Sequence, residues 1–131
     1  MPDSADGAAI AQVEKPLRGL RILVVDDEPG VRTYIAAGLR RDGHEVETVS
    51  DGVAALALHW ELQFDAIVID LFMPGMSGIE LASAIKRLSP GTPLICVTGH
   101  SEELDNSPFD LIIRKPFAHS VLRAALDLFC A

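Results

Sequence analysis

Hydrophobic and polar positions along the chain follow two rhythms. Ile22–Val25, Ala66–Ile69 and Leu94–Val97 are runs of four apolar residues with no polar break, the mark of strands buried on both faces. Leu111–Ile113 is a shorter run of the same kind, and His44–Val49 alternates polar and apolar positions, which predicts a half-exposed edge strand. Between these runs the repeat is helical. Val31, Ile35 and Leu39 recur one turn apart with Arg32, Arg40 and Arg41 off the stripe, so a helix starts at Pro29 or Gly30 and stops at Gly43. Asp51-Gly52 opens a second helix whose expected inward face is Val53, Leu56, Ala57 and Trp60. A third covers Gly78–Leu88, with Ile79, Ala82, Ile85 and Leu88 inward, and the turn run Ser89-Pro90-Gly91-Thr92-Pro93 ends it. Val121, Leu122, Ala125, Leu126 and Phe129 stripe a last helix. The repeat fails between Gly99 and Asp110, where at most one or two helical turns fit. Residues 1–19, with Pro2, Gly7, Pro16, Gly19 and scattered charges, are expected to form a flexible tail ahead of one folded domain over residues 20–131.

Strands alternating with helices at this spacing imply a parallel sheet covered on both faces, joined by right-handed crossovers. The fold expected is α/β: a flavodoxin-like doubly wound five-stranded parallel sheet of order 2-1-3-4-5, with a shortened or missing helix after the fourth strand.

Composition narrows the function. A chain of 131 residues is one domain by size. Eleven Lys and Arg against nineteen Asp and Glu leave a formal charge of −8, which repels a phosphate backbone, so no nucleic-acid partner is expected. Cys96 and Cys130 lack metal-ligand spacing and read as free thiols of a reducing cytoplasm. The acidic start MPDSADGAA is not a signal peptide, and no apolar run approaches the roughly 20 residues of a membrane helix.

Chemistry concentrates at the strand ends. Asp26 and Asp27 follow the first strand, Asp70 the third, Thr98 the fourth and Lys115 the fifth. Asp70 taken alone also reads as a residue that merely ends a strand and caps the Met73-Pro74-Gly75-Met76-Ser77-Gly78 turn. In a doubly wound sheet, however, ligands bind outside the carboxyl ends of the central strands, where these groups converge. Three clustered carboxylates call for a cation, and Mg²⁺, which takes hard oxygen ligands and keeps several waters, is satisfied by two carboxylates, a backbone carbonyl and solvent. Lys115 and Thr98 suit the extra oxygens of a phosphoryl group, and Asp70, ionised at neutral pH, is then a nucleophile toward phosphorus that forms an acyl phosphate.

The motifs VVDDEP, IDLFMPGMSG, VTG and KPF, in this order from about Arg21 to Cys130, resemble the receiver domain of two-component response regulators. The resemblance implies that Asp70 is the phosphoacceptor and that Asp27 and Asp70 bind Mg²⁺ directly, with Asp26 acting through water and Phe72 through its backbone carbonyl. It implies that Thr98 is the switch hydroxyl and Lys115 the family lysine, followed by a cis peptide at Pro116. The partners implied are a histidine kinase or phosphotransfer protein, docking at Pro29, Gly30, Val31, Tyr34 and Pro116-Phe117, and a further protein downstream. A cytoplasmic, stand-alone phosphoacceptor rather than a turnover enzyme is expected. Two departures stand out: Ile112 replaces the aromatic residue many members carry three before the lysine, and Ser101–Pro108 replaces the usual fourth helix. Ordering of Gly99–Asp110 is therefore the expected carrier of the signal. His44, His59 and His119 read as surface residues, and His100 as one that affects water access to the phosphoryl group. The alternatives are a receiver-like binding module that is not phosphorylated, a receiver cut from a hybrid kinase, a flavin carrier, which the acids of Asp26-Asp27-Glu28 disfavour, and an aspartyl phosphatase, which would want an acid where Phe72 stands.

Overall fold

A computed structural model describes residues 19–99 and 108–130. Its strands are β1 (Arg21–Val25), β2 (Glu45–Val49), β3 (Ala66–Asp70), β4 (Leu94–Thr98) and β5 (Leu111–Arg114). The helices among the described residues are α1 (Pro29–Arg41), α2 (Gly52–Leu62), α3 (Gly78–Leu88) and α4 (His119–Cys130). All strand pairs are parallel and the order is β2-β1-β3-β4-β5, as the alternation of runs predicts. The expected tail up to Arg18, His100 and most of the Gly99–Asp110 segment lie outside the described residues.

Strand period 2 explains the unbroken apolar runs. Ile22 and Val24 point into one core layer with Ile35, Leu39 and Leu122, beneath α1 and α4. Leu23 and Val25 point into the other with Ala55, Leu81 and Ile85, beneath α2 and α3. β2 lies at the sheet edge and buries only Val46 fully, in keeping with its alternating sequence.

Helix starts follow local chemistry. Pro29 occupies the first turn of α1, where its missing N–H costs nothing. Asp51 caps α2 through Ala54 N, and Ser77 and Glu80 form a reciprocal capping box at α3.

Three expectations about faces are corrected. α2 buries Gly52, Ala55 and His59, not Val53, Ala57 and Trp60, while Leu56 is half-buried. The sequence GVAALALHWEL is apolar nearly all round, so periodicity does not single out one face. α3 buries Leu81 beside Ala82 and Ile85, and leaves Ile79 and Leu88 exposed; on α4, Val121 is exposed.

Two histidines also differ from the expected surface role. His59 is buried, accepts from Phe64 N at Nδ1 (3.1 Å) and meets Ser89 Oγ at Nε2 (2.9 Å), joining the C-terminal ends of α2 and α3. Burial holds its pKa below the usual value. His119 packs its ring against Gly38, where no side chain fits, and its Nε2 is 2.7 Å from Asp42 Oδ2. Arg123 holds the other Asp42 oxygen at 2.9 Å, so one carboxylate ties α1 to α4. Burial raises the pKa of Asp42, but the bonds from Arg123 and His119 outweigh it and leave it low.

Candidate functional site

β1 and β3 are neighbours in register, so their last residues deliver carboxylates to one spot at the C-terminal edge of the sheet. Asp26, the first residue past β1, is fully buried, and its N–H still bonds Val49 O at 3.2 Å. Its Oδ1 accepts from Glu28 N (2.9 Å), which bends the chain into α1. Asp27 between them is exposed. Asp70 ends β3 and is 6% exposed.

The chain leaves Asp70 through a tight loop. Gly75 takes φ 77°, a conformation glycine supplies without strain. Gly78 N donates to Leu71 O at 2.9 Å, which brings the start of α3 directly against the strand exit. A Cβ on Gly78 would collide with Asp70 O and lie 2.8 Å from Leu71 Cα, so this close approach demands glycine.

The cation arrives from β5. Lys115 N bonds Thr98 O (2.8 Å), the Lys115-Pro116 peptide is cis, and Lys115 Nζ lies 3.1 Å from Asp26 Oδ2 and 3.4 Å from Asp70 Oδ1. These partners are 89 and 45 positions apart in the chain. Thr98, the last residue of β4, is buried at the same edge, and Phe72, two residues past Asp70, is about half-exposed.

One carboxylate oxygen from each of Asp26, Asp27 and Asp70 can be chosen so that all lie within 4.8 Å of one another. One ammonium does not balance three such charges. Burial and the neighbouring Asp26 push the Asp70 carboxyl up from 3.8 to about 6, against the opposing pull of Lys115. Lys115 itself is held above its usual value, because hydrogen bonding and attraction from Asp26 and Asp70 outweigh the cost of its burial. Cys96, one strand over and buried, is pushed up to about 12 by desolvation and by Asp70, and stays a thiol. An all-oxygen donor set with surplus negative charge fits a hard divalent cation.

Asp26, Asp27, Asp70 and Lys115 are thus brought together, and Thr98 is coupled to them through the Lys115 backbone. One contributor, Arg32, was not singled out from the sequence: its Nη1 donates to Asp26 O at 2.7 Å, which its place off the α1 apolar stripe could have suggested. Gly78 was legible as a turn glycine, but not its close approach to Asp70 O. Beside the acids, a cleft of about 620 Å³ is lined by Glu28, Gly30, Val31, Tyr34, Lys115, Pro116 and Phe117. Tyr34 closes it with an edge-on contact to Phe117 and a 3.2 Å hydrogen bond to Phe117 O. No helix among the described residues is long and apolar enough to cross a membrane.

The model of the response regulator receiver domain matches residues 22–127. The transcriptional regulatory protein TcrA of Mycobacterium tuberculosis is 35% identical over 113 residues, which cover 82% of this chain but only 45% of TcrA. The chain therefore spans less than half the length of that relative. Chemotaxis protein CheY4 of Vibrio cholerae superposes with a TM-score of 0.80 at 29% identity, covering 86% of this chain and 99% of CheY4. The response regulator TrrA of Thermotoga maritima, solved with Mg²⁺ and BeF, gives 0.79 at 32% identity, covering 84% and 98%. A second TrrA structure, in complex with the histidine kinase ThkA, gives 0.79 at 31%, covering 86% and 99%.

Proposed function

The chain belongs to the response regulator receiver family, and from that premise we propose that it accepts a phosphoryl group onto Asp70 from a histidine kinase or histidine phosphotransfer protein. The observation that carries this reading is the convergence of three carboxylates and one ammonium at the sheet edge.

Asp70 is the nucleophile. A carboxylate oxygen attacks phosphorus in line, the new O–P bond forms as the P–N bond to the donor imidazole breaks, and the product is an acyl phosphate on Asp70. Lys115, already within 3.4 Å of Asp70 Oδ1, is placed to balance charge on the phosphoryl oxygens. Thr98 is assigned as the hydroxyl that closes on the phosphorylated Asp70. Asp27 and Asp70, the Phe72 carbonyl and, through water, Asp26 are assigned to hold Mg²⁺, which supplies charge neutralisation for the transfer. TrrA with Mg²⁺ and BeF supports that choice by likeness.

The cleft between Gly30, Val31, Tyr34 and Pro116-Phe117 borders Lys115, and we assign it to the docking of the phosphodonor protein, as the ThkA complex of TrrA supports by likeness. Arrival at Asp70 and slow loss from it make the chain a phosphoacceptor rather than a turnover enzyme, acting in the cytoplasm through a further protein. The test is intact mass after incubation with Mg²⁺ and acetyl phosphate, wild type beside Asp70→Asn. A single Mg²⁺-dependent phosphoryl adduct absent from the variant supports the assignment. No adduct, even with a competent kinase, would leave a binding module.

A further inference from the structure

The guanidinium of Arg32 stands where a helix least favours a cation. Arg32 is the fourth residue of α1, and its N–H bonds Glu28 O at 3.0 Å where the helix opens. The positive end of the helix dipole works against a positive side chain there. Helical side chains lean toward the N-terminus, so the Arg32 side chain runs back over the start of α1 to the acidic turn, where Nη1 donates to Asp26 O at 2.7 Å.

That bond bears on Asp27 more than on Asp26. Asp26 is fully buried and is held by other contacts: its N–H bonds Val49 O, and its two carboxylate oxygens meet Glu28 N and Lys115 Nζ. Asp27 is exposed, and its backbone is gripped through its neighbours. Arg32 holds the carbonyl of the peptide ahead of it, and Asp26 Oδ1 holds the N–H of the peptide behind it. Rotation of the first peptide would swing the Asp27 carboxylate away from Asp26 and Asp70, with which it now shares a set of oxygens within 4.8 Å. Resting on the Mg²⁺ assignment above, we propose that Arg32 is a positioning residue of the metal site, which fixes the peptide before Asp27 and so presets that carboxylate as a direct ligand. In this role its guanidinium acts on the backbone of Asp27 and not on the cation.

Charge and position predict opposite signs. A fixed cation near the acids repels Mg²⁺, so Arg32→Met tightens binding if charge alone counts. Loss of a positioning bond weakens it, and Arg32→Met is expected to raise the Mg²⁺ dissociation constant about tenfold in calorimetric titration of the metal-free protein. Arg32→Lys, which keeps the charge with a single donor of shorter reach, is expected to raise it about threefold, and it decides the matter should the Met variant fail to fold. Unchanged or tighter binding by a folded variant overturns the proposal, including where metal-free urea stability drops, since Arg32 would then be a contact of the fold alone. Wild type that binds no Mg²⁺ removes both this role and the reading it rests on. Weaker binding by the variants, with no phosphoryl adduct on wild type, keeps the positioning role and removes the phosphoacceptor.

Discussion

Replacing Asp70 by Asn removes the charge at the site while keeping its shape, and should make the metal-free protein more stable. The Asp70 carboxyl titrates at about 6 in the folded protein against 3.8 ordinarily, because burial and Asp26 oppose its ionisation more than Lys115 favours it. The gap corresponds to about 3 kcal/mol of folding free energy forfeited once Asp70 is fully ionised. A carboxyl whose folded pKa is raised contributes stability that is complete below 3.8 and is lost as pH rises through about 6. Asp70→Asn should thus gain up to about 3 kcal/mol at pH 8, or roughly 10 °C in melting temperature, and only about 0.6 kcal/mol near pH 4. Urea denaturation in EDTA across that range is the assay. Adding Mg²⁺ at pH 8 should stabilise wild type more than the variant, because a bound cation reverses the same penalty. A variant less stable than wild type at pH 8, or a gain independent of pH, would refute the electrostatic account of the site.

Other substitutions test neighbouring contacts. Lys115→Met leaves fully buried Asp26 without its 3.1 Å counter-charge, and should cost about 3–5 kcal/mol in metal-free denaturation at pH 7, with loss of the phosphoryl adduct. His59→Ala abandons Phe64 N and Ser89 Oγ and should cost about 2 kcal/mol by the same assay. Because burial lowers the pKa of His59, its neutral form supports the fold above 6.5, and that support should fade as pH falls through its folded pKa. Gly78→Ala places a Cβ against the backbone of Asp70 and Leu71. It should destabilise by about 2 kcal/mol and slow phosphorylation by acetyl phosphate, since the loop must move at the acceptor's own strand exit.

Much of this molecule was legible in one dimension. The unbroken runs at Ile22–Val25, Ala66–Ile69 and Leu94–Val97 reveal two-sided burial, and their alternation with helical repeats leads to the observed strand order. The capping and turn residues around Asp51, Ser77 and Pro29 set helix starts locally, so they could be read locally. Strand ends carrying Asp26, Asp70 and Lys115 pointed to one edge, because a parallel sheet aligns all its carboxyl ends.

What only the tertiary structure decided depends on which surfaces meet. α2 is apolar around most of its circumference, so the face it buries was set by the layer of Leu23, Val25 and Leu81 beneath it, and Val53 and Trp60 turned outward. The hydrogen bonds of His59 and the Gly38 notch that takes His119 join residues 30 and 81 positions apart, a pairing no local pattern encodes. The sequence determined which groups reach the acidic edge. The distances among them, and hence the raised Asp70 pKa, arose only when the sheet brought like charges together in a place water barely reaches.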